Sequence, residues 1–310
     1  MVAGKVDKSG KGHCALNAFF QVPTSHLFHR QKVVLNPPMQ LHINKDTQLC
    51  MSLAARPANF GTRFHNFLYR ELGLNFIYKA FTTRDIRSAI AGVRALGIRG
   101  CAISMPFKEA SIEYVDELDA SAKRIQSVNT IVNNDEYLKA YNTDYTAVSK
   151  LIRFRGIPDS ARFALLGSGG MAKAVACALR DAGLANGLIV ARNEVKGPAL
   201  AHQCGLQWKR DLTGEKPELL INATPVGMAG GAEAAYLPFP EGLVRSAQFV
   251  FDVVAVPPET PLIQLAHSLG KITIAGSEVS VLQAVEQFVI YTGVRPAAEL
   301  IEKAAAFARS

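Results

Sequence analysis

The segment Arg162-Phe163-Ala164-Leu165-Leu166 runs without a break into Gly167-Ser168-Gly169-Gly170-Met171-Ala172. An apolar strand, a glycine turn and a helix start in immediate succession predict a dinucleotide-binding α/β unit. Gly167 permits the tight turn, Gly169 lets the backbone approach a pyrophosphate, and Ala172 lets the helix pack close to its strand. The unpaired N–H groups from Ser168 through Gly170 and Met171 attract the anion. A glycine loop alone can serve a purely conformational purpose. The strand before it and the helix after it are what point to a cofactor.

The nucleotide is selected at the end of the next predicted strand, Gly187 to Ala191. NAD sites place a carboxylate there for the ribose 2′-OH, whereas this chain reads Val190-Ala191-Arg192-Asn193 and then Lys196. A guanidinium suits a 2′-phosphate that a carboxylate would repel, so Arg192, Asn193 and Lys196 predict NADP. Glu194 lies two residues into the loop and need not face the ribose. The plain alternative for Arg192 is a solvated loop arginine.

At 310 residues the chain is long enough for two domains. Gln48 to Leu53, Asn75 to Phe81 and Gly100 to Ser104 read as strands, and Phe64 to Leu72 as a helix. A second helix is expected over Thr83 to Leu96, with Thr83 as N-cap and Asp85 in the first turn. Val128 to Val132 and Tyr137 to Tyr141 read as a hairpin, and after Asp144 a helix carries the chain to Arg155. A second rhythm follows, with strands at Arg162 to Leu166, Gly187 to Ala191, Glu218 to Asn222 and Gln248 to Val253. Its helices are Met171 to Ala182, Val279 to Tyr291 and Pro296 to Ala308. Such alternation predicts an α/β fold of parallel strands joined by crossover helices.

Composition narrows the function class. With 49% hydrophobic and 19% charged residues the chain is no disordered tail, and no run approaches the ~20 uncharged apolar residues of a membrane helix. The formal charge of +8 invites a nucleic-acid reading, but half of the excess comes from Lys5, Lys8, Lys11, Arg30 and Lys32 against Asp7, all within residues 1–38. Elsewhere bases are scattered among acids, so the expected partner is a small molecule, with no nucleic acid and no membrane. Residues 1–38 lack apolar periodicity and close on Asn36-Pro37-Pro38, before Met39 opens a globular pattern. They read as a disordered extension or an upstream start, without the marks of a transit or signal peptide. Cys14, Cys50, Cys101, Cys177 and Cys204 are odd in number and widely spaced. That argues against a disulfide framework or a metal site and for a reducing cytosol. Cys101 and Cys177, inside apolar runs, are expected in the core.

Several short motifs stand in order. They are Phe64-His65-Asn66, Ser104-Met105-Pro106-Phe107-Lys108-Glu109, Ser127-Val128-Asn129-Thr130-Ile131 and Asn142-Thr143-Asp144. After the glycine loop come Ala191-Arg192-Asn193, Asn222-Ala223-Thr224-Pro225-Val226-Gly227-Met228, Asp252-Val253-Val254 with Thr260-Pro261-Leu262, and Leu282-Gln283-Ala284. The ordered set resembles the shikimate dehydrogenase family from about residue 47 to 308. The resemblance implies two α/β domains with a cleft between them: a Rossmann-type NADP domain at 144–276, and a smaller substrate-binding domain from 39–143 with 277–310. It further implies a cytoplasmic enzyme of aromatic amino acid biosynthesis, monomer or homodimer, with Lys108 as the catalytic lysine and Asp144 as its partner. Asn129 and Gln283 match positions that bond substrate hydroxyls. Thr224, Val253 and Gly276 would line the nicotinamide side, Gly276 by letting the backbone approach the ring.

Chemistry supports those residue types. Reducing a ketone by hydride leaves an alkoxide, which needs a proton donor and local positive charge. A lysine held against a carboxylate supplies both, and amides such as Asn129 and Gln283 donate and accept at once. Read without the resemblance, Lys108 is equally a surface lysine at a helix start, Asn129 a turn residue and Gln283 a water-facing polar residue.

The pattern breaks on the substrate side. Where the family has a Ser-x-Ser pair, this chain has Asn59-Phe60-Gly61; Asn59 offers one amide, and Arg56, Thr62 or Arg63 could act from nearby. Ala102 replaces a strand-end asparagine before Ser104, Ala255 a tyrosine and Glu278 a glycine. Each lost hydrogen bond to a charged group is worth about 1.5–3 kcal/mol, enough in combination to weaken shikimate use by orders of magnitude. Three readings stay open: a dehydrogenase for shikimate or quinate, a related enzyme using an arginine grip on another hydroxy acid, and a nucleotide-binding sensor without turnover.

Overall fold

The computed structural model describes residues 43–55 and 57–310. The expectations for residues 1–38, Met39 and Arg56 fall outside them. The first sheet opens with β1 (Gln48–Ala54), α1 (Phe60–Glu71), β2 (Phe76–Thr82), α2 (Ile86–Ala95) and β3 (Gly100–Ile103), β1 lying between β2 and β3 and parallel to both. A 3₁₀ turn at Ala110–Tyr114 leads to β4 (Glu117–Leu118), α3 (Ala120–Ile125), β5 (Thr130–Asn134) and β6 (Tyr137–Tyr141). The order is β2-β1-β3-β5-β6-β4, and β5 pairs antiparallel with both β3 and β6. This sheet is therefore mixed, not wholly parallel.

Local chemistry explains where the elements differ from expectation. Helix α2 begins at Ile86 because Asp85, not Thr83, is its N-cap: the Asp85 carboxylate accepts from Ser88 N at 3.1 Å. Thr83 Oγ1 instead accepts from Asp85 N at 3.0 Å, forming the turn before the helix. Strand β5 extends to Asn134 because the hairpin turn is only Asp135-Glu136, both at positive φ, as a two-residue turn of the primed type requires. Asn133 Oδ1 accepts from Glu136 N at 2.8 Å and fastens that turn.

The chain next forms α4 (Thr143–Phe154), β7 (Phe163–Leu166), α5 (Gly170–Asp181), β8 (Gly187–Val190), α6 (Lys196–Cys204) and β9 (Gln207–Lys209). Then follow β10 (Leu219–Asn222), α7 (Glu241–Ser246), β11 (Phe249–Asp252), α8 (Pro261–Ser268), β12 (Ile272–Ala275), α9 (Gly276–Thr292) and α10 (Ala298–Arg309). Strands β7–β12 make a second, wholly parallel sheet in the doubly wound order β12-β11-β10-β7-β8-β9. Its register sets Leu166 beside both Val190 and Asn222, Asn222 beside Asp252, and Asp252 beside Ala275. The strands thus end level, and the loops that follow them emerge along one edge, where open α/β sheets bind ligands.

Two helices join the sheets. Val279 and Leu282 of α9 pack with Ala147, Val148 and Leu151 of α4 and with Val175 and Leu179 of α5. Val281, Val285 and Phe288 of α9 pack instead with Phe64 and Leu68 of α1 and Ile301 of α10. Burying each such side chain stabilises by about 1.5–3 kcal/mol, so α9 is held from both sides. Glu278, unexpected at the start of α9, accepts from Ala275 N at 2.9 Å and from Arg155 Nη2 at 2.5 Å, tying α9 to the end of α4. Cys101 and Cys177 are fully buried core residues.

Candidate active site

Beyond β3 the chain turns through Ser104–Phe107, held by Phe107 N donating to Ser104 O at 3.0 Å and Ser104 N to Leu53 O at 2.9 Å. Lys108 follows, its carbonyl accepting from Val128 N at 2.8 Å. Asp144 is placed by α4, whose N-cap Asn142 accepts from Tyr145 N at 2.9 Å. Asp144 therefore sits inside the first turn, not ahead of the helix, where the unpaired N–H groups favour a carboxylate. Lys108 Nζ donates to Asp144 Oδ2 at 2.6 Å, with the two side chains 27% and 15% exposed. The pair is short, charge-assisted and open on one side.

It opens on a cavity of about 270 Å³, also lined by Ser104, Asn129 and Gln283. Asn59 does not line it; Pro57, Ala58, Phe60 and Gly61 beside it do. Ser52, Tyr78 and Gln287 also line it. Behind it, Asn129 Oδ1 accepts from Thr143 N and Thr130 Oγ1, both at 2.8 Å, and from Thr143 Oγ1 at 3.1 Å. Gln283 Nε2 donates to Thr143 Oγ1 at 3.2 Å, and Gln287 Nε2 to Thr130 Oγ1 at 2.9 Å. The acceptor of Asn129 is thus saturated by protein, which fixes its amide orientation and leaves the amide donors for a ligand. Gln287 has a legible signal: it stands one helical turn after Gln283, on the same face.

The departures can now be placed. Ala102, Phe60 and Gly61 border the cavity, contributing no hydroxyl there. The Thr62 hydroxyl is buried without a partner. Arg63 points elsewhere: its Nη2 donates to Ser310 Oγ at 2.9 Å and its guanidinium lies over Phe307. Among the described residues that line the cavity, Lys108 and Asp144 are the charged ones, and they are bound to each other. His65 and Asn66 support the wall from behind. Asn66 brackets the Tyr78 backbone with bonds of 2.8 and 2.9 Å, and the His65 ring stacks on Tyr78 at 4.5 Å between centroids. Complete burial pushes the His65 imidazole down to about 3, so it is neutral.

The nucleotide edge lies on the second sheet. Gly167 has φ 124°, and a Cβ there would stand 2.8 Å from Ala223 O, so the turn requires glycine. Added side chains at Gly169 and Gly170 would meet nothing, which leaves the approach to the first turn of α5 clear for an anion. Met171 is half-buried and Ala172 fully buried against the sheet. Arg192 and Lys196 are exposed beyond β8, while Glu194 is occupied by Arg210 at 2.9 Å. Asn193 serves inside the protein: its Oδ1 accepts from Val195 N at 3.0 Å and Lys196 N at 2.8 Å, shaping the start of α6. Thr224 donates to Asn222 Oδ1 at 2.6 Å; Asn222 Nδ2 donates to Asp252 Oδ1 at 2.9 Å, and Thr260 Oγ1 to Asp252 Oδ2 at 2.6 Å. Burial raises the Asp252 carboxyl above its ordinary range, and this network clamps the loops around Thr224 and Val253. Gly276 is required by the packing of the protein itself. A Cβ there would lie 2.4 Å from Val253 O and from the Val254 backbone, so the close approach is between protein segments.

The family described as shikimate dehydrogenase substrate binding domain matches residues 60–131. A shikimate dehydrogenase-like protein of Haemophilus influenzae is 56% identical over 268 residues, 86% of this chain and 99% of that one. Shikimate dehydrogenase (NADP(+)) of Pyrococcus abyssi is 35% identical over 246 residues, 77% of this chain and 89% of the relative. The structure of shikimate 5-dehydrogenase from Thermus thermophilus, in complex with NADP(H) and shikimate, superposes with TM-score 0.75 at 29% identity, covering 84% of this chain and 99% of that one.

Proposed function

The chain belongs to the shikimate dehydrogenase family, and from that premise we propose that it is an NADP-dependent oxidoreductase interconverting a cyclic hydroxy acid of the shikimate or quinate type and its ketone. The observation that carries this reading is the Lys108–Asp144 pair at 2.6 Å, opening on a cavity walled by amides and hydroxyls. Residues 39–143 with 277–310 would bind substrate and 144–276 the nucleotide.

The nucleotide edge fits NADP. The open glycines at 169 and 170 would admit the pyrophosphate, and Arg192 with Lys196 would face the 2′-phosphate with no carboxylate free to repel it. Bound NADPH would supply the hydride for ketone reduction, and NADP⁺ would take it up in the reverse direction. Lys108 donates a proton to the carbonyl oxygen as the new C–H bond forms, and its neutral amine accepts the hydroxyl proton in reverse. Asp144 keeps Nζ oriented by accepting its hydrogen bond. The donors of Asn129 and the carbonyl of Gln283 hold the ring hydroxyls so that the reacting carbon meets Nζ and not solvent.

Absorbance of NADPH with 3-dehydroshikimate tests the reading. Lys108→Ala is expected to lower kcat by ~10²–10⁴-fold, the range of a positioned acid–base group, with NADPH affinity retained. Equal rates in the two proteins would remove Lys108 from the mechanism. Retained NADPH binding in a wild type that turns over none of these acids would favour a sensor. A second reading, a dehydrogenase for another hydroxy acid, is favoured by one observation: among the described residues that line the cavity, no cation is left over for a free carboxylate.

A further inference from the structure

Two cysteines away from the cleft touch each other. Cys177 of α5 and Cys204, the last residue of α6, stand 27 positions apart in the chain and bring their sulfurs to 3.8 Å. Both belong to the core under the second sheet, Cys177 fully buried and Cys204 4% exposed. Arg180 Nη1 donates to Gln203 O at 3.4 Å, a second link between the same helix ends. The hydrogen bond with Cys204 and then the Arg180 charge hold the Cys177 thiol below its ordinary range, against the effect of burial. These helices are also the two that meet the nucleotide. Helix α5 starts on the glycine turn, and α6 starts on the loop of Arg192 and Lys196, where Gly197 N donates to Asn193 O at 2.9 Å. Trp208, the single tryptophan of the chain, packs on that junction: its Nε1 donates to Ala191 O at 3.2 Å, and a Cβ at Gly197 would stand 2.4 Å from it.

Resting on the NADP reading above, we propose that a hydroperoxide oxidises Cys177 and Cys204 to a reversible disulfide, and that this bond weakens NADP(H) binding. The Cys177 thiolate attacks one peroxide oxygen; the O–O bond breaks, and the departing hydroxide takes up the thiol proton as water, leaving a sulfenic acid. The Cys204 sulfur then attacks the Cys177 sulfur. An S–S bond forms, the S–O bond breaks, and the hydroxyl leaves with the Cys204 proton as a second water. The two thiols lose two electrons and the peroxide gains them. Cys204 closes α6, so fraying of that helix end admits a molecule as small as hydrogen peroxide. A dithiol reverses the step by exchange through a mixed disulfide. The effect on the cofactor follows from packing. A disulfide sets its sulfurs about 2 Å apart, so its formation draws α5 and the end of α6 together, and a close-packed interior passes the strain along. With only nine residues, α6 moves at its start when it moves at its end. Arg192 and Lys196 then lose their alignment with the glycine turn.

The test treats the reduced full-length chain with hydrogen peroxide and divides it for three measurements. Peptide mapping without reductant is expected to show the Cys177 and Cys204 peptides joined and lighter by two hydrogens. Trp208 emission is expected to shift, and the Kd for NADPH to rise roughly 5–150-fold, the usual span of coupling between two sites. Dithiothreitol should reverse all three. Cys177→Ala and Cys204→Ser are each expected to bind NADPH like the reduced wild type and to lose the response to peroxide; two variants on separate helices guard against one that fails to fold. The absence of the joined peptide would overturn the proposal, as would a joined chain with an unchanged Kd, or a wild-type response in both variants. Failure of the cofactor reading looks different: the reduced chain would bind no NADPH at all. In that event the peptide map and Trp208 emission decide for the pair, a joined peptide with shifted emission supporting the linkage and an unjoined or unshifted one overturning it.

Discussion

Replacing Arg192 with alanine isolates cofactor selection from everything else the nucleotide edge does. The guanidinium is exposed beyond β8, and neither a hydrogen bond nor an ion pair to another described residue holds it. Its removal therefore leaves no buried group unsatisfied and no packing void, and the fold should not notice. A hydrogen bond between charged partners is worth about 1.5–3 kcal/mol, so losing one such contact to a 2′-phosphate raises the Kd for NADPH by ~10–150-fold. Lys196 remains on the same loop and keeps the effect toward the lower part of that range. NADH has no 2′-phosphate, and its Kd should change by less than about threefold. The site is exposed, so the NADPH effect should shrink as salt is raised past ~0.5 M, where the Debye length is only a few ångströms. Quenching of protein fluorescence by each nucleotide at two ionic strengths gives all four constants. Equal weakening of NADPH and NADH, or none of either, would refute the reasoning and leave Arg192 a solvated loop residue.

Two further predictions concern the scaffold. His65 is fully buried with its imidazole pushed down to about 3 from 6.5. The unfolded chain takes up that proton first, so stability is complete above pH ~6.5 and falls as pH drops toward 3, at most by about 4–5 kcal/mol at 1.36 kcal/mol per unit. Urea unfolding between pH 7 and 4 should show this slope, and His65→Phe should flatten it; an identical pH dependence in the variant would contradict the assignment. Gly276→Ala places a methyl against the Val253–Val254 backbone at 2.4 Å, and overpacking of this kind costs about 1–3 kcal/mol. Its Tm should fall and its Kd for NADPH rise, because the displaced segment carries Val253; an unchanged Tm would mean that α9 starts freely.

The alternation of strands and helices and the glycine turn were legible because each follows from local patterning: apolar runs, a turn that only glycine can make, and a helix start behind it. What was not legible depended on contacts between segments far apart in the chain. Arg63 looked available to a substrate carboxylate, but it is drawn to Phe307 and Ser310 of the terminal helix, a packing no local window contains. Ser52 and Tyr78 reach the cavity because β1 and β2 pair in register, Ser52 lying beside Ala80. Asn193 closes its own turn and Gly276 answers crowding by the Val253–Val254 backbone, intramolecular roles that the sequence motifs did not announce. Lys108 and Asp144, 36 positions apart, meet because a strand end and a helix start face each other, and spacing alone carries no sign of that.

On the proposed reading, the pocket and the acid–base pair draw on different residues. The Lys108–Asp144 pair hangs on the end of β3 and the first turn of α4, and its amide supports stand on β5 and on the face of α9 that carries Gln283 and Gln287. Of the altered residues, Asn59 to Gly61 form the N-cap and first turn of α1, and Ala255 lies beyond β11, whereas Ala102 stands within β3 and Glu278 in the first turn of α9. Substituting there changes what fills the cleft without moving Nζ relative to the carboxylate, because the network around Thr130 and Thr143 is closed within the protein. On the proposed reading, reaction type and substrate choice are set by different residues, so that the substrate could change while the Lys108–Asp144 pair stays in place.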